Sequence, residues 1–211
     1  MKTCVYVDAY NLYYGSLKDS PYKWLDLGAL CSTLLPNARI VRIRYCTAAV
    51  KPRPGKVGTD QRQQAYLRAL RTIPNLSIHL GHYQQTKKRM KLANPPVSGS
   101  SFVEVLCTEE KGSDVNLASY MLVDAMRDEC DQTVLISNDS DLKLPVQLLK
   151  DELKKHVLVI APTTNPGRRP SVDLRGAASA MRELRAGPLS ASQFPVTLTD
   201  AHGTIHKPPQ W

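Results

Sequence analysis

Three short runs in this chain have almost no polar face. Residues 4–7 (Cys-Val-Tyr-Val), 133–136 (Thr-Val-Leu-Ile) and 157–160 (Val-Leu-Val-Ile) are apolar nearly throughout. A strand with one wet face alternates polar and apolar residues, whereas a strand covered on both faces does not. Between these runs lie segments whose apolar residues recur at helical spacing, such as Ala65, Tyr66, Ala69, Leu70 and Ile73. Buried strands alternating with amphipathic helices predict an α/β fold. Its central sheet is mostly parallel, with helices on both faces and right-handed crossovers.

The remaining elements fit this frame. Residues 11–17 start a short helix, and Asp26 caps one running to Leu34. Residues 38–48 alternate as a second strand, and 51–58, with two prolines and two glycines, form a loop. Thr59 or Asp60 caps a helix that Pro74 and Asn75 stop, and Leu76, Ile78 and Leu80 make a third strand. Residues 84–101 read as a long loop or hairpin, followed by a strand from Phe102 and a helix capped by Ser113. Residues 141–153 read as a helix with Pro145 in its first turn, and 156–161 as the last core strand. Beyond that, 172–184 suggest one or two short helices and 189–211 an extended tail draped on the domain.

Four aspartates mark where this frame carries chemistry. Asp8 ends the first buried run, Asp139 and Asp141 follow the second, and Asp114 opens the helix over 115–127. In parallel sheets ligands bind beyond the carboxyl ends of strands, so the fold gathers these distant acids at one edge. Carboxylates gathered there repel one another unless a cation sits between them. Hard divalent ions such as Mg²⁺ or Mn²⁺ prefer oxygen donors of this kind. Each acid taken alone could equally be a helix N-cap.

The charge around the acids has the opposite sign. The 211-residue chain carries a net charge of +9, and its cations cluster at Lys51 and Arg53, at Lys87, Lys88, Arg89 and Lys91, and at Arg168 and Arg169. An acidic centre with basic flanks suits a phosphodiester backbone, the flanks holding phosphate and the centre holding metal. Arg62, in the helix after the second strand, is a further candidate for phosphate contact. Tyr10, Tyr13 and Tyr14 could stack on bases, although packing in the core or at its rim accounts better for Tyr13 and Tyr14. No apolar run approaches the ~18 residues of a membrane span. The N-terminus runs straight into a strand, so no secretory signal is expected. The five cysteines are scattered with no Cys-x-x-Cys pair, which points to a reducing cytoplasm rather than a zinc or disulfide framework.

Three blocks then align with a known pattern: residues 5–13 (Val-Tyr-Val-Asp-Ala-Tyr-Asn-Leu-Tyr), 109–115 (Glu-Glu-Lys-Gly-Ser-Asp-Val) and 136–142 (Ile-Ser-Asn-Asp-Ser-Asp-Leu). In this order they resemble the NYN domain family, a branch of the PIN-like nucleases related to the LabA-like bacterial proteins. The resemblance covers residues 1–162 and treats 163–211 as a C-terminal extension packed on the same domain. It implies a three-layer PIN-like fold and a Mg²⁺- or Mn²⁺-dependent ribonuclease acting on single-stranded or structured RNA. By position, Asp8, Asp114, Asp139 and Asp141 match the metal-binding acids, with Asn11 and Ser137 as supporting groups. The family's glycine after the first acid is Ala9 here, and its glycine before the acid pair is Asn138, a residue that tolerates φ > 0 better than most. The alternative is a non-catalytic RNA-binding or regulatory module on the same fold. A haloacid-dehalogenase-type phosphatase would need an aspartate where Tyr10 stands, and a Toprim-type site a glutamate where Asp8 stands.

Overall fold

The computed structural model describes residues 1–50 and 58–211, so the loop expected over 51–58, with Lys51 and Arg53, lies outside the described residues apart from Gly58. The chain runs β1 (Lys2–Asp8), α1 (Ala9–Leu12), α2 (Leu27–Leu34), β2 (Arg39–Ala48), α3 (Thr59–Leu70), β3 (Leu76–Lys91), β4 (Phe102–Lys111), α4 (Ser113–Met126) and β5 (Gln132–Ile136). It continues through α5 (Lys143–Gln147), β6 (His156–Ala161), α6 (Val172–Ala177), β7 (Ala180–Glu183), α7 (Ala186–Ala191), β8 (Thr197–Asp200) and β9 (Gly203–His206). Seven strands form one sheet in the order β4-β3-β2-β1-β5-β6-β7, all parallel except β4. This is the mostly parallel, helix-flanked sheet that the buried runs predict.

Strand alternation sorts side chains onto two cores. Val5 and Val7 face one layer with α2, α3 and α7, through Leu30, Leu67, Leu70 and Leu189. Cys4 and Tyr6 face the other with α4, α5 and α6, through Leu117, Met121, Val146 and Leu174. Each fully buried leucine or methionine contributes about 1.5–3 kcal/mol. Helix α4 is further tied down by a buried charge. Arg44 on β2 grips Asp124 through two nitrogens, at 2.7 Å each, and Tyr6 donates its hydroxyl to the same carboxylate at 2.8 Å. Burial would raise the Asp124 carboxyl, but these donors outweigh it and hold it below its usual range. The pair fixes the rotation of α4 about its axis, and so the direction its first turn faces.

The structure corrects several element readings. Gly58 (φ 72) and Gly112 (φ 95) occupy the N-cap positions assigned to Thr59 or Asp60 and to Ser113, because the chain enters both helices through left-handed backbone. The short strand at 76–80 is the first third of a 16-residue strand, and the loop or hairpin at 84–101 is a hairpin whose arms pair antiparallel from His82–Lys111 to Lys91–Phe102. The helix at 141–153 is broken into a 3-10 turn (Ser140–Leu142), α5 and a π turn (Leu148–Glu152). The strand β6 is not the last: β7 adds beside it, where a helix was expected, and β8 and β9 form a hairpin in the tail.

Candidate metal centre and the cleft beside it

Strands β1 to β3 step outward on one side of the sheet and β5 to β7 on the other. The order therefore reverses between β1 and β5, the place where parallel sheets open a crevice at their carboxyl edge. Asp8 is the last residue of β1, and Asp139 follows β5 by three residues. Asp8 shares strand parity with Cys4 and Tyr6, which directs it to the face covered by α4. Asp114, in the first turn of α4, meets it there. One carboxylate oxygen each from Asp8, Asp114 and Asp139 lie within 4.8 Å of one another. Asp141 stands outside this group. It is exposed and gives its backbone N–H to Asp139 Oδ1 at 3.0 Å, while its charge still bears on Asp114.

Capping and clustering turn out to be compatible. Asp8 caps α1 by accepting the Asn11 amide N–H at 2.9 Å, and Asp139 caps the following 3-10 turn. Asn11 also donates Nδ2 to Asp8 Oδ2 at 2.9 Å, and Ser137 donates its hydroxyl to the same oxygen at 2.8 Å. Ser137 Oγ in turn accepts the Asp139 N–H at 3.1 Å, so both supporting residues read from sequence hold the acids in place. Asn138 does not have positive φ. It instead donates Nδ2 to the Arg169 carbonyl at 2.9 Å and accepts the Ser171 N–H at 2.7 Å, tying the C-terminal segment to the site. Glu110, at the head of the 109–115 block, accepts both the N–H (3.1 Å) and the hydroxyl (2.7 Å) of Ser113, and so steadies the turn that carries Asp114.

The electrostatics register uncompensated charge. Burial foremost, then the neighbouring Asp139, raise the Asp8 carboxyl, against the donors that stabilise its anion. Partial burial, then the charges of Asp8, Asp139, Glu110 and Asp141, push Asp114 up to about 6. An all-oxygen donor set carrying excess negative charge fits a hard divalent cation.

The basic candidates separate. Beyond Gly81, which still pairs with β2, strand β3 runs on past the end of β2 as one limb of the β3–β4 arm. Lys87, Arg89 and Lys91 share one face of this arm and Lys88 takes the other. Lys87 pairs with Glu104 at 3.4 Å, Lys88 with Glu109, and the Arg89 guanidinium lies 4.7 Å from the centre of the Phe102 ring. Arg62 is not at the acids. It donates to Thr59 Oγ1 at 3.1 Å and lines a separate cavity of about 610 Å³, whose wall includes Tyr10, Tyr13 and Tyr14. Arg168 and Arg169 are exposed on the segment that Asn138 anchors.

Fold and site together define a nuclease-type α/β domain with an acidic cluster at the switch point of its sheet. The chain belongs to the NYN domain family, whose model matches residues 2–183. It is similar to 6-hydroxy-3-succinoylpyridine 3-monooxygenase HspA of Pseudomonas putida, at 30% identity over 236 aligned positions covering this whole chain and 75% of that protein. In fold it is similar to a protein of unknown function from Vibrio parahaemolyticus, with a TM-score of 0.57 at 16% identity over 92% of this chain and 96% of the other. No helix among the described residues is long and apolar enough to cross a membrane.

Proposed function

We propose that the protein is a divalent-metal-dependent ribonuclease that hydrolyses RNA phosphodiester bonds at Asp8, Asp114 and Asp139. The observation that carries this reading is the meeting of three carboxylates from three distant segments at the sheet's switch point, in a family of nuclease-type fold. These residues would hold Mg²⁺ or Mn²⁺, with Asp141 reaching it through water. Bound there, such a cation lowers the pKa of a coordinated water and offsets charge on phosphorus. Asn11 and Ser137 orient Asp8, and Ser137 also fixes the start of the turn that carries Asp139. The cationic face of the β3–β4 arm and Arg168 and Arg169 would receive the RNA backbone. Residues 163–211 belong to the same unit, as a C-terminal extension of the domain. Five free cysteines support a cytoplasmic location.

The test is cleavage of end-labelled single-stranded RNA with Mn²⁺, with Mg²⁺ and with EDTA, beside Asp139→Asn. Cutting that needs metal and is lost in the variant, with RNA binding retained or tighter, is the expected result. RNA binding without cutting under either ion would replace this reading with the non-catalytic module.

A second reading follows from the Pseudomonas relative, whose name describes a monooxygenase acting on a substituted pyridine. The tyrosine-lined cavity, of a size that suits a small aromatic ring, favours it. Incubation with 6-hydroxy-3-succinoylpyridine, O₂ and a reduced nicotinamide donor, followed by product mass, checks it. Unchanged substrate removes it.

A further inference from the structure

The cavity that Arg62 lines has a composition of its own. Ala9 and Tyr10, the two residues after Asp8, form part of its wall, while Leu17, Tyr45 and Tyr66 place it on the α2–α3 side of the sheet and none of the four aspartates lines it. Tyr10 and Tyr83 fix each other in its wall, hydroxyl to hydroxyl at 2.7 Å with rings nearly perpendicular at 86°. At the rim, Tyr13 and Tyr14 are 37% and 46% exposed, too open for core packing, and their rings meet edge-on 5.2 Å apart. Three cations, Lys18, Lys23 and Arg62, line the same space, and no Asp or Glu is among the described residues that do. Lys18 Nζ lies 5.5 Å from the centre of the Tyr14 ring. The charge of Asp19 bears on Tyr13 from outside this wall.

Aromatic faces attract a planar ring, and cations beside them attract an anion on that ring. A space of about 610 Å³ is within the usual range for a small-molecule site. We infer that this cavity binds one unstacked nucleotide, its base against Tyr14 and its phosphate toward Lys18, Lys23 and Arg62. The choice of a nucleotide rests on the ribonuclease reading. A free heteroaromatic acid offers the same ring and charge, and the arms of the test separate the two. On this assignment the RNA must be single-stranded where it enters the cavity, because a paired base cannot leave its stack without an added cost of a few kcal/mol.

The test is equilibrium binding in EDTA, where no cleavage occurs, read by the fluorescence of Trp211, which also lines the cavity. The probes are a 5′-mononucleotide, ribose 5-phosphate and nicotinate, each against wild type, Tyr14→Ala and Lys23→Ala. The nucleotide should bind at least tenfold more tightly than ribose 5-phosphate, and Tyr14→Ala should weaken it by about tenfold, the scale of one base–aromatic stack. Lys23→Ala should weaken both phosphates together. Equal binding of ribose 5-phosphate and nucleotide, or unchanged binding in Tyr14→Ala, overturns the assignment. Binding of nicotinate with none of the nucleotide overturns the nucleotide and leaves a small-acid site. Tight nucleotide binding in a protein that never cuts RNA leaves this inference standing and removes the ribonuclease reading instead.

Discussion

Ser137 donates its hydroxyl to Asp8 at 2.8 Å although the two stand 129 residues apart, and the same oxygen accepts the Asp139 N–H at 3.1 Å. One buried hydroxyl therefore bonds both an acid that ends β1 and the backbone of an acid just beyond β5. Ser137→Ala keeps every carboxylate but leaves Asp8 held by Asn11 alone. Cleavage should fall by about 10- to 100-fold, the usual cost of losing a group that orients a metal ligand. The Mn²⁺ concentration giving half-maximal rate should rise with it. A rate within twofold of wild type would show that Asn11 alone suffices.

Asp114 gives a pH prediction with a definite sign. Its folded-state carboxyl lies at about 6, above the ordinary 3.8, so the metal-free fold favours its protonated form. Stability from this group is present below pH ~4 and is lost as pH rises through about 6. Asp114→Asn should then raise the Tm of metal-free protein at pH 7.5 and leave it unchanged at pH 4. Other carboxylates titrate oppositely, as Asp200 is held down to about 2 by Arg68, so only the difference between variant and wild type isolates the effect. In saturating Mn²⁺ the sign should invert. Thermal melts at the two pH values, with and without the ion, decide it.

The β3–β4 arm separates two kinds of lysine. The ion pairs of Lys87 and Lys88 are exposed and worth little, so both could exchange acids for phosphates, but they point to opposite faces. Reversing Lys87, Arg89 and Lys91 to Glu should flatten the slope of log affinity against log salt by about two, near 0.7 for each single-strand phosphate no longer neutralised. Lys88→Ala should change that slope by less than about half a unit. Equal effects of the two would mean that RNA does not lie along one face.

Gly81 makes room for the turn that presents Asp114. A Cβ there would come 2.5 Å from the Lys111 carbonyl and 3.0 Å from the Ser113 nitrogen, both backbone, as well as 2.4 Å from Glu110 Oε1. Gly81→Ala should destabilise the fold by about 1–3 kcal/mol, as overpacking does, and lower activity by more than the drop in folded protein accounts for. Circular dichroism melts and rates normalised to folded fraction would test both halves.

The acids were readable because each ends or opens a segment with a clear pattern. Asp8 and Asp139 stand where apolar runs stop, and Asp114 where helical spacing begins. Less readable was anything held by backbone pairing rather than burial. The outer limb of β3 is exposed along most of its length, so no apolar pattern marks it as a strand. Strand β7, Ala-Met-Arg-Glu, has good helix formers and no fully buried residue, and it extends because β6 offers it an edge. The caps Gly58 and Gly112 were hidden behind better capping residues one position later. The cavity draws on segments of chain that no local pattern joins, so the sequence does not show that Tyr10, Tyr13 and Tyr14 line one space.

The strand order also has a bearing on synthesis. A ribosome delivers β1, the β3–β4 arm and α4 before β5, and β5 lies against β1 rather than beside the strands made just before it. A nascent chain that has folded its first half carries Asp8 and Asp114 but has neither Ser137 nor Asp139 to complete the cluster. The acid cluster therefore stays incomplete until the second half of the sheet docks.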